Sequence, residues 1–343
     1  MIFFKAEANP NIGGGHLHRC IAIATECQKQ GQEVAFIFAE TVESSTTQIK
    51  DLGFPTFFID IKKQFELNTY TSIIPSGSLI LFDTDDYHFY SGKLIDNLQS
   101  FGIKTACFTI TDKHPISTDV LINTNIISKT HSYKTPIETI KLLGPRYLIF
   151  NSKFQKLEIT PKEETNYQNL FLFFGNADAN GLTHYILDII TQLKFQFKKV
   201  IVVVGALNPN KLEIEKSIAE NSTLNIEYRY NTPNLVALYE ETDIAITAAG
   251  MTMWEMALFK IPQLVIASSE RELTYTSYLE NVNFIHFLGS YNQIFSDENL
   301  ASRIDSILKS KKLEKLDLDS FKNTINPNGI TDMVKAFVSL VQN

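Results

Sequence analysis

Residues 1–38 read MIFFKAEANPNIGGGHLHRCIAIATECQKQGQEVAFIF, and this stretch decides the fold class. Its two short apolar runs, Ile2–Lys5 and Val34–Phe38, do not alternate with polar residues, as expected of strands buried on both faces of a parallel sheet. Between them His18–Gln30 has helical spacing and stops at Gly31, where a left-handed residue after the last turn costs least. Strand, helix and strand in this order predict a βαβ unit, which requires its two strands to be parallel.

The same grammar continues outward. Further strands are expected at Thr56–Ile59, Leu79–Phe82, Thr105–Thr109 and Val120–Ile122, and a second series at Leu170–Phe174, Lys199–Val204, Asn225–Tyr230, Ile244–Thr247, Gln263–Ala267 and Phe284–Phe287. Helix-length stretches such as Leu182–Lys194, Pro233–Tyr239 and Asp297–Leu313 separate them, and Ile330–Gln342 is an amphipathic helix near the end. The segment from Asn151 to Asn169, rich in Lys, Glu, Gln and Thr and containing Pro161, reads as a linker. The chain of 343 residues therefore divides into two Rossmann-like α/β domains, expected at 1–157 and 165–343, a number that fits its length.

Composition excludes several classes of function. Lys and Arg total 31 against 38 Asp and Glu, a formal net charge of -7, so nucleic acid is not an expected partner. The three cysteines, Cys20, Cys27 and Cys107, have neither paired-metal spacing nor an even count, which argues against a disulfide framework and for a reducing, cytoplasmic setting. No run approaches the roughly 18 apolar residues of a membrane span, and the N-terminus lacks a signal peptide's charged and apolar regions. Neither secretion nor membrane insertion is expected.

Chemistry concentrates in glycine-containing turns between strand and helix. Asn11-Ile12-Gly13-Gly14-Gly15-His16-Leu17-His18-Arg19 follows the first strand, and Gly14 and Gly15 allow close backbone approach of an anionic or oxygen-rich ligand. It is not the Gly-x-Gly-x-x-Gly dinucleotide fingerprint, because position 18 is His18. His16 can project from this turn as a general base, or it can simply fill the turn. His16 and His18 have no third ligand in view, so no metal is expected. In the second half Phe174-Gly175-Asn176-Ala177-Asp178 and Thr247-Ala248-Ala249-Gly250-Met251-Thr252-Met253-Trp254-Glu255 occupy equivalent places. Gly175, Asn176, Ala249, Gly250 and Met251 offer backbone donors to a diphosphate, Thr252 a hydroxyl, and Glu255 an acceptor for ribose hydroxyls. Phe82-Asp83-Thr84-Asp85-Asp86-Tyr87-His88 ends a buried strand with three carboxylates, a phenol and an imidazole, fit either to hold sugar hydroxyls or to serve as a polar strand end. Trp254 reads as core packing.

Five segments then resemble one family: Ile12–Cys20, Leu143–Tyr147, Gly175–Thr183, Val204–Asn210 and Asp243–Glu255. Their order and spacing are similar to those of the UDP-2,4-diacetamido-2,4,6-trideoxy-β-L-altropyranose hydrolases of pseudaminic acid biosynthesis and their relatives in spore-coat polysaccharide synthesis, almost end to end. The resemblance implies a GT-B architecture, two Rossmann-like domains facing each other across a cleft, with the nucleotide held mainly by the C-terminal one. It implies a UDP-sugar substrate, inverting displacement of UDP by water, and no cofactor. His16 matches the family's catalytic histidine and Tyr87 an active-site tyrosine; Asp85 would lie at the substrate beside it. The chain departs from the family pattern at Lys5-Ala6-Glu7, where Arg-x-Asp is usual, and at Glu270-Arg271-Glu272, where Glu-Asn-Gln is usual. A further departure is Asn176-Ala177-Asp178 in place of Gly-Ser-Asp. A glycosyltransferase of the same fold, or a silent sugar-nucleotide-binding homologue, fits the same residues.

Overall fold

The computed structural model describes residues 1–7, 15–39, 43–84, 86–90, 92–159, 167–221, 223–310 and 312–341, with the backbone alone at 43–45. The chain forms two compact units, one made of Met1–Leu157 with Ile325–Asn343 and the other of Glu158–Thr324.

The first unit holds strands β1 (Ile2–Ala6), β2 (Val34–Phe38), β3 (Thr56–Phe58), β4 (Leu79–Asp83), β5 (Lys104–Phe108), β6 (Val120–Asn123) and β7 (Ile140–Leu143). They pair in parallel in the order β3-β2-β1-β4-β5-β6-β7. Helices α1 (Gly15–Lys29), α2 (Glu43–Asp51), α3 (Leu67–Thr71) and α4 (Lys93–Ser100) connect them. Alternate residues of the apolar strands serve opposite faces: Phe4, Phe36 and Phe38 enter one core with Leu17, Cys20, Ile23, Ala24 and Cys27 of α1. Phe3, Ile37 and Phe82 enter another, with Leu94 and Leu98 of α4. Burial on both sides is why these strands read as continuous apolar runs. Helix α1 ends as expected, with Gly31 at φ +77 and with the Gly31 and Gln32 amides donating to the Gln28 and Cys27 carbonyls. It begins three residues before the expected His18. First-turn N–H groups have no intrahelical acceptor, and glycine costs little at a helix start.

The second unit repeats the plan with β8 (Asn169–Phe173), β9 (Lys199–Val204), β10 (Ile226–Tyr230), β11 (Ile244–Ala248), β12 (Gln263–Ala267) and β13 (His286–Ser290), in the order β10-β9-β8-β11-β12-β13. Its helices are α5 (Leu182–Thr191), α6 (Lys211–Glu220), α7 (Val236–Glu241), α8 (Met251–Leu258), α9 (Glu270–Asn281), α10 (Tyr291–Phe295), α11 (Leu300–Lys309) and α12 (Leu318–Asn323). Trp254 is buried, edge-on to Phe321 of α12, in agreement with its reading as core.

Three expectations are corrected. Strand β7 was not anticipated, because it is a four-residue edge strand with one fully buried position and so lacks the long apolar run of a central strand. Strand β13 starts two residues later than expected and pairs with β12 through a register shift at Val265/Ile266. The second domain does not extend to 343. Helix α13 (Gly329–Val341) belongs to the first unit, where Ile330, Met333, Val334 and Phe337 join the core beneath α1. A side chain at Gly329 would meet the Arg146 carbonyl oxygen at 2.0 Å, and the Thr331 hydroxyl donates to Glu26 of α1 at 2.8 Å. Each of those four buried side chains contributes about 1.5–3 kcal/mol, which an amphipathic helix collects only from the sheet that covers it.

Candidate active site

In each sheet the strand order reverses once, between β1 and β4 in the first and between β8 and β11 in the second. Ligands of open α/β sheets bind outside the carboxyl ends of the strands at such a reversal. In the first sheet Ala6 pairs with Asp83, so the last residue of β4 lies beside the exit of β1, whose continuation enters α1 at Gly15.

His16 and Arg19, in the first turns of α1, both reach Asp83. His16 Nδ1 lies 2.7 Å from Asp83 Oδ1, Arg19 Nε donates to Oδ2 at 2.8 Å, and Arg19 Nη2 donates to Oδ1 at 2.5 Å. The Arg19 guanidinium stacks 4.0 Å above the Phe108 ring, which fixes the plane of the fork. Asp83 has no exposed side-chain surface, while 13% of His16's is exposed. Burial by itself would raise the Asp83 pKa, but the hydrogen bonds from His16 and Arg19 outweigh it and hold the carboxyl below its ordinary value. An ionised Asp83 only accepts, so His16 Nδ1 carries the proton and the lone pair of the neutral ring is on Nε2. That is the tautomer a general base requires.

Asp83 stood in the sequence as one of three carboxylates without a distinct role. Its signal was its place as the final residue of a buried strand; the pairing that brings it to His16 spans 67 positions. Cys20 Sγ also approaches it, at 3.5 Å, and burial pushes that thiol well up. Cys27 and Cys107 are pushed up to about 12 by burial. All three cysteines are buried and free, which makes them inert packing groups.

Tyr87 follows on a short 3-10 turn, Tyr87–Phe89, capped by Asp86, whose carboxylate accepts from the His88 amide. The Tyr87 ring stacks on His114 at 3.9 Å with an 8° interplanar angle and contacts His88 at 4.0 Å. These two rings cover faces of Tyr87 that a sugar would otherwise stack on. Gly14 and Asp85 lie outside the described residues. Lys5 and Glu7, the departure at the end of β1, pair with each other, and Glu7 accepts from the Ala39 amide at 2.8 Å, so that pair ties the exits of β1 and β2.

In the second unit the loops after β8, β9, β11 and β12 are laced together. Gly175 takes φ +94, and Asn176 Oδ1 accepts from the Ala206 amide at 2.8 Å. Gly205 is needed there, since a Cβ would sit 2.2 Å from the Asn176 carbonyl oxygen. Asp178 caps α5, accepting from the Leu182 and Thr183 amides at 2.9 and 2.8 Å. Asn180 donates to the Ser268 carbonyl at 2.7 Å. Asn176 is thus a fastening between loops more than an outward donor.

Helix α8 starts at Met251, directly after Ala249 and Gly250, and its first amides have no intrahelical acceptor. Tyr239 of α7 donates to Glu255 Oε2 at 2.6 Å, and Thr252 lies near the same phenol. Burial raises the Glu255 pKa above its ordinary value, a shift the Tyr239 hydrogen bond opposes. Glu272 of α9, an apparent charge swap in the sequence, is a loop cap: its Oε2 accepts from the Ser268 amide at 2.7 Å and the Ser268 hydroxyl at 2.9 Å. Among the described residues no group of His, Cys, Asp and Glu is arranged to hold a metal ion, and no helix is long and apolar enough to cross a membrane.

Residues 169–320, inside the second unit, match the family model of the glycosyltransferase family 28 C-terminal domain. An uncharacterized protein of Methanocaldococcus jannaschii is 24% identical over 291 residues, 82% of this chain and 58% of that protein. The spore coat polysaccharide biosynthesis protein SpsG of Bacillus subtilis is 22% identical over 171 residues, 50% of each chain. The chain spans about half the length of the curated relatives it matches. Among solved structures, MurG of Acinetobacter baumannii superposes with a TM-score of 0.69 at 14% identity, covering 98% of this chain and 99% of that one. The spinosyn rhamnosyltransferase SpnG, complexed with thymidine diphosphate, gives 0.60 at 13% identity, covering 98% and 100%. The fold is GT-B: two parallel-sheet α/β domains of the glycosyltransferase kind.

Proposed function

We propose that this chain is a nucleotide-sugar hydrolase that releases a 2,4-diacetamido-trideoxy hexose from UDP, by inverting attack of water, in the synthesis of pseudaminic acid or a related surface polysaccharide. The observation that carries the proposal is His16 held by the buried, ionised Asp83 at the switch point of the first sheet. In the reaction His16 Nε2 takes a proton from water as the oxygen bonds to the anomeric carbon. The bond from that carbon to the β-phosphate oxygen breaks, and its electron pair leaves with UDP. Amides at the start of α8 offset the charge that builds on the diphosphate, and Glu255 accepts from the ribose hydroxyls. UDP is a good leaving group once its charge is met, so positioned water, a base and backbone donors suffice. The Tyr87 hydroxyl orients the sugar.

A second reading keeps the residues and replaces water with an acceptor hydroxyl. The match to the glycosyltransferase family 28 C-terminal domain favours it. So do Phe57, Phe58, Ile61 and Phe65, which are exposed along the segment that carries Lys62 and Lys63, a composition suited to an amphipathic acceptor. One experiment separates the two. Incubation with a panel of UDP-diacetamido sugars and no acceptor is followed by proton NMR at early times. Hydrolysis gives free sugar with the anomeric configuration opposite to the substrate; a transferase leaves the substrate intact.

A further inference from the structure

The peptide groups on either side of Ala249 face a single helix, α9. The Ala249 carbonyl accepts from the Tyr275 hydroxyl, and the Ala249 amide is near enough to the Glu272 carboxylate to favour its charged form. Glu272 and Tyr275 are three residues apart and so share one face of α9. The peptide unit is planar and trans, so the N–H of Gly250 points opposite to the Ala249 carbonyl. A donor fixed on that carbonyl therefore fixes the aim of the Gly250 N–H, away from Tyr275. The same carboxylate holds Ser268, whose carbonyl accepts from Asn180 of the loop after β8. Helix α9 is thereby the common anchor of the three loops that follow β8, β11 and β12.

We propose that Tyr275 and Glu272 are positioning residues that aim the Gly250 amide at the substrate's diphosphate, and that the carboxylate at 272 is there for loop geometry and not for sugar recognition. The proposal rests on the reading of Ala249–Thr252 as the diphosphate loop. Without the Tyr275 hydroxyl the Ala249–Gly250 peptide is free to rotate, and the phosphate contact weakens while contacts to base and ribose stay.

Calorimetric titration of the full chain with UDP and with uridine tests this on Tyr275→Phe, which keeps the ring and alters no charge, and on Glu272→Asp, which keeps the charge and shortens the reach. The preference for UDP over uridine is expected to fall about three- to tenfold in each variant, the size of one lost buried hydrogen bond, with uridine affinity changed less than about twofold. A folded Tyr275→Phe protein with the wild-type preference overturns the positioning role alone. Wild-type protein that binds UDP no more tightly than uridine overturns the diphosphate loop and the positioning role together. A purely structural role lowers thermal stability and leaves the preference where it was.

Discussion

Asp83 gives up all of its water on folding, and a buried carboxylate stays ionised only when donors replace that water. His16, Arg19 and Cys20 supply them. Asp83→Asn keeps the shape but offers an N–H where His16 needs an acceptor, so turnover should fall by about 10²-fold or more as the ring loses its productive tautomer. Stability should fall as well, on the order of 3 kcal/mol near neutral pH, because Arg19 and His16 lose a buried partner. The folded pKa of Asp83 is lowered, so its contribution is complete above the unfolded value of about 4 and disappears as the pH drops through the lower folded value. Urea unfolding of both proteins should therefore show a gap in midpoint that is full at pH 6 and narrows below about pH 4; a gap constant with pH contradicts the ionised pair. Of these residues His16 was legible in the sequence, since a glycine-rich turn entering a helix advertises itself. Asp83 was not, because the stretch 82–88 offers three carboxylates and only the pairing of β1 with β4 selects one.

Loops at the carboxyl ends of the second sheet form a single connected element, and its tightest joint is Gly205 against Asn176. A built Cβ at 205 lies 2.2, 2.3 and 2.6 Å from three backbone atoms of Asn176, which backbone cannot yield cheaply. Gly205→Ala should cost about 2 kcal/mol or more and weaken UDP binding through the displaced Gly175–Asn176 turn. Thermal unfolding with and without UDP checks both effects, and a variant as stable as the wild type contradicts the close approach. The turns at Gly175 and Gly250 were legible because glycine between a strand and a helix is a local signal. The demand for glycine at 205 is set by a loop 29 positions earlier in the chain, and composition does not record it. The same holds for Tyr239 and Glu272, whose roles come from neighbours in space.

The division into two α/β units and the positions of most strands along the chain were legible, because each buried strand announces itself as an apolar run. The return of α13 to the first unit was not. Ile330, Met333, Val334 and Phe337 mark an apolar helix face, but periodicity says that a face is covered and not by which sheet. Deleting residues 325–343 should accordingly leave the second unit folded and expose the first. Hydrogen exchange would then show lost protection in β1, β4 and α1 with β8, β9 and β11 unchanged; loss confined to the second unit contradicts the assignment. For the whole molecule, we propose that His16 in the first unit activates the nucleophile that displaces UDP. The most direct test is UDP release from a UDP-diacetamido sugar with no acceptor present, wild type beside His16→Asn, with UDP affinity measured on both. Release is expected to fall by about 10²-fold or more in the variant while UDP affinity stays within a fewfold. Equal rates in the two proteins would contradict it.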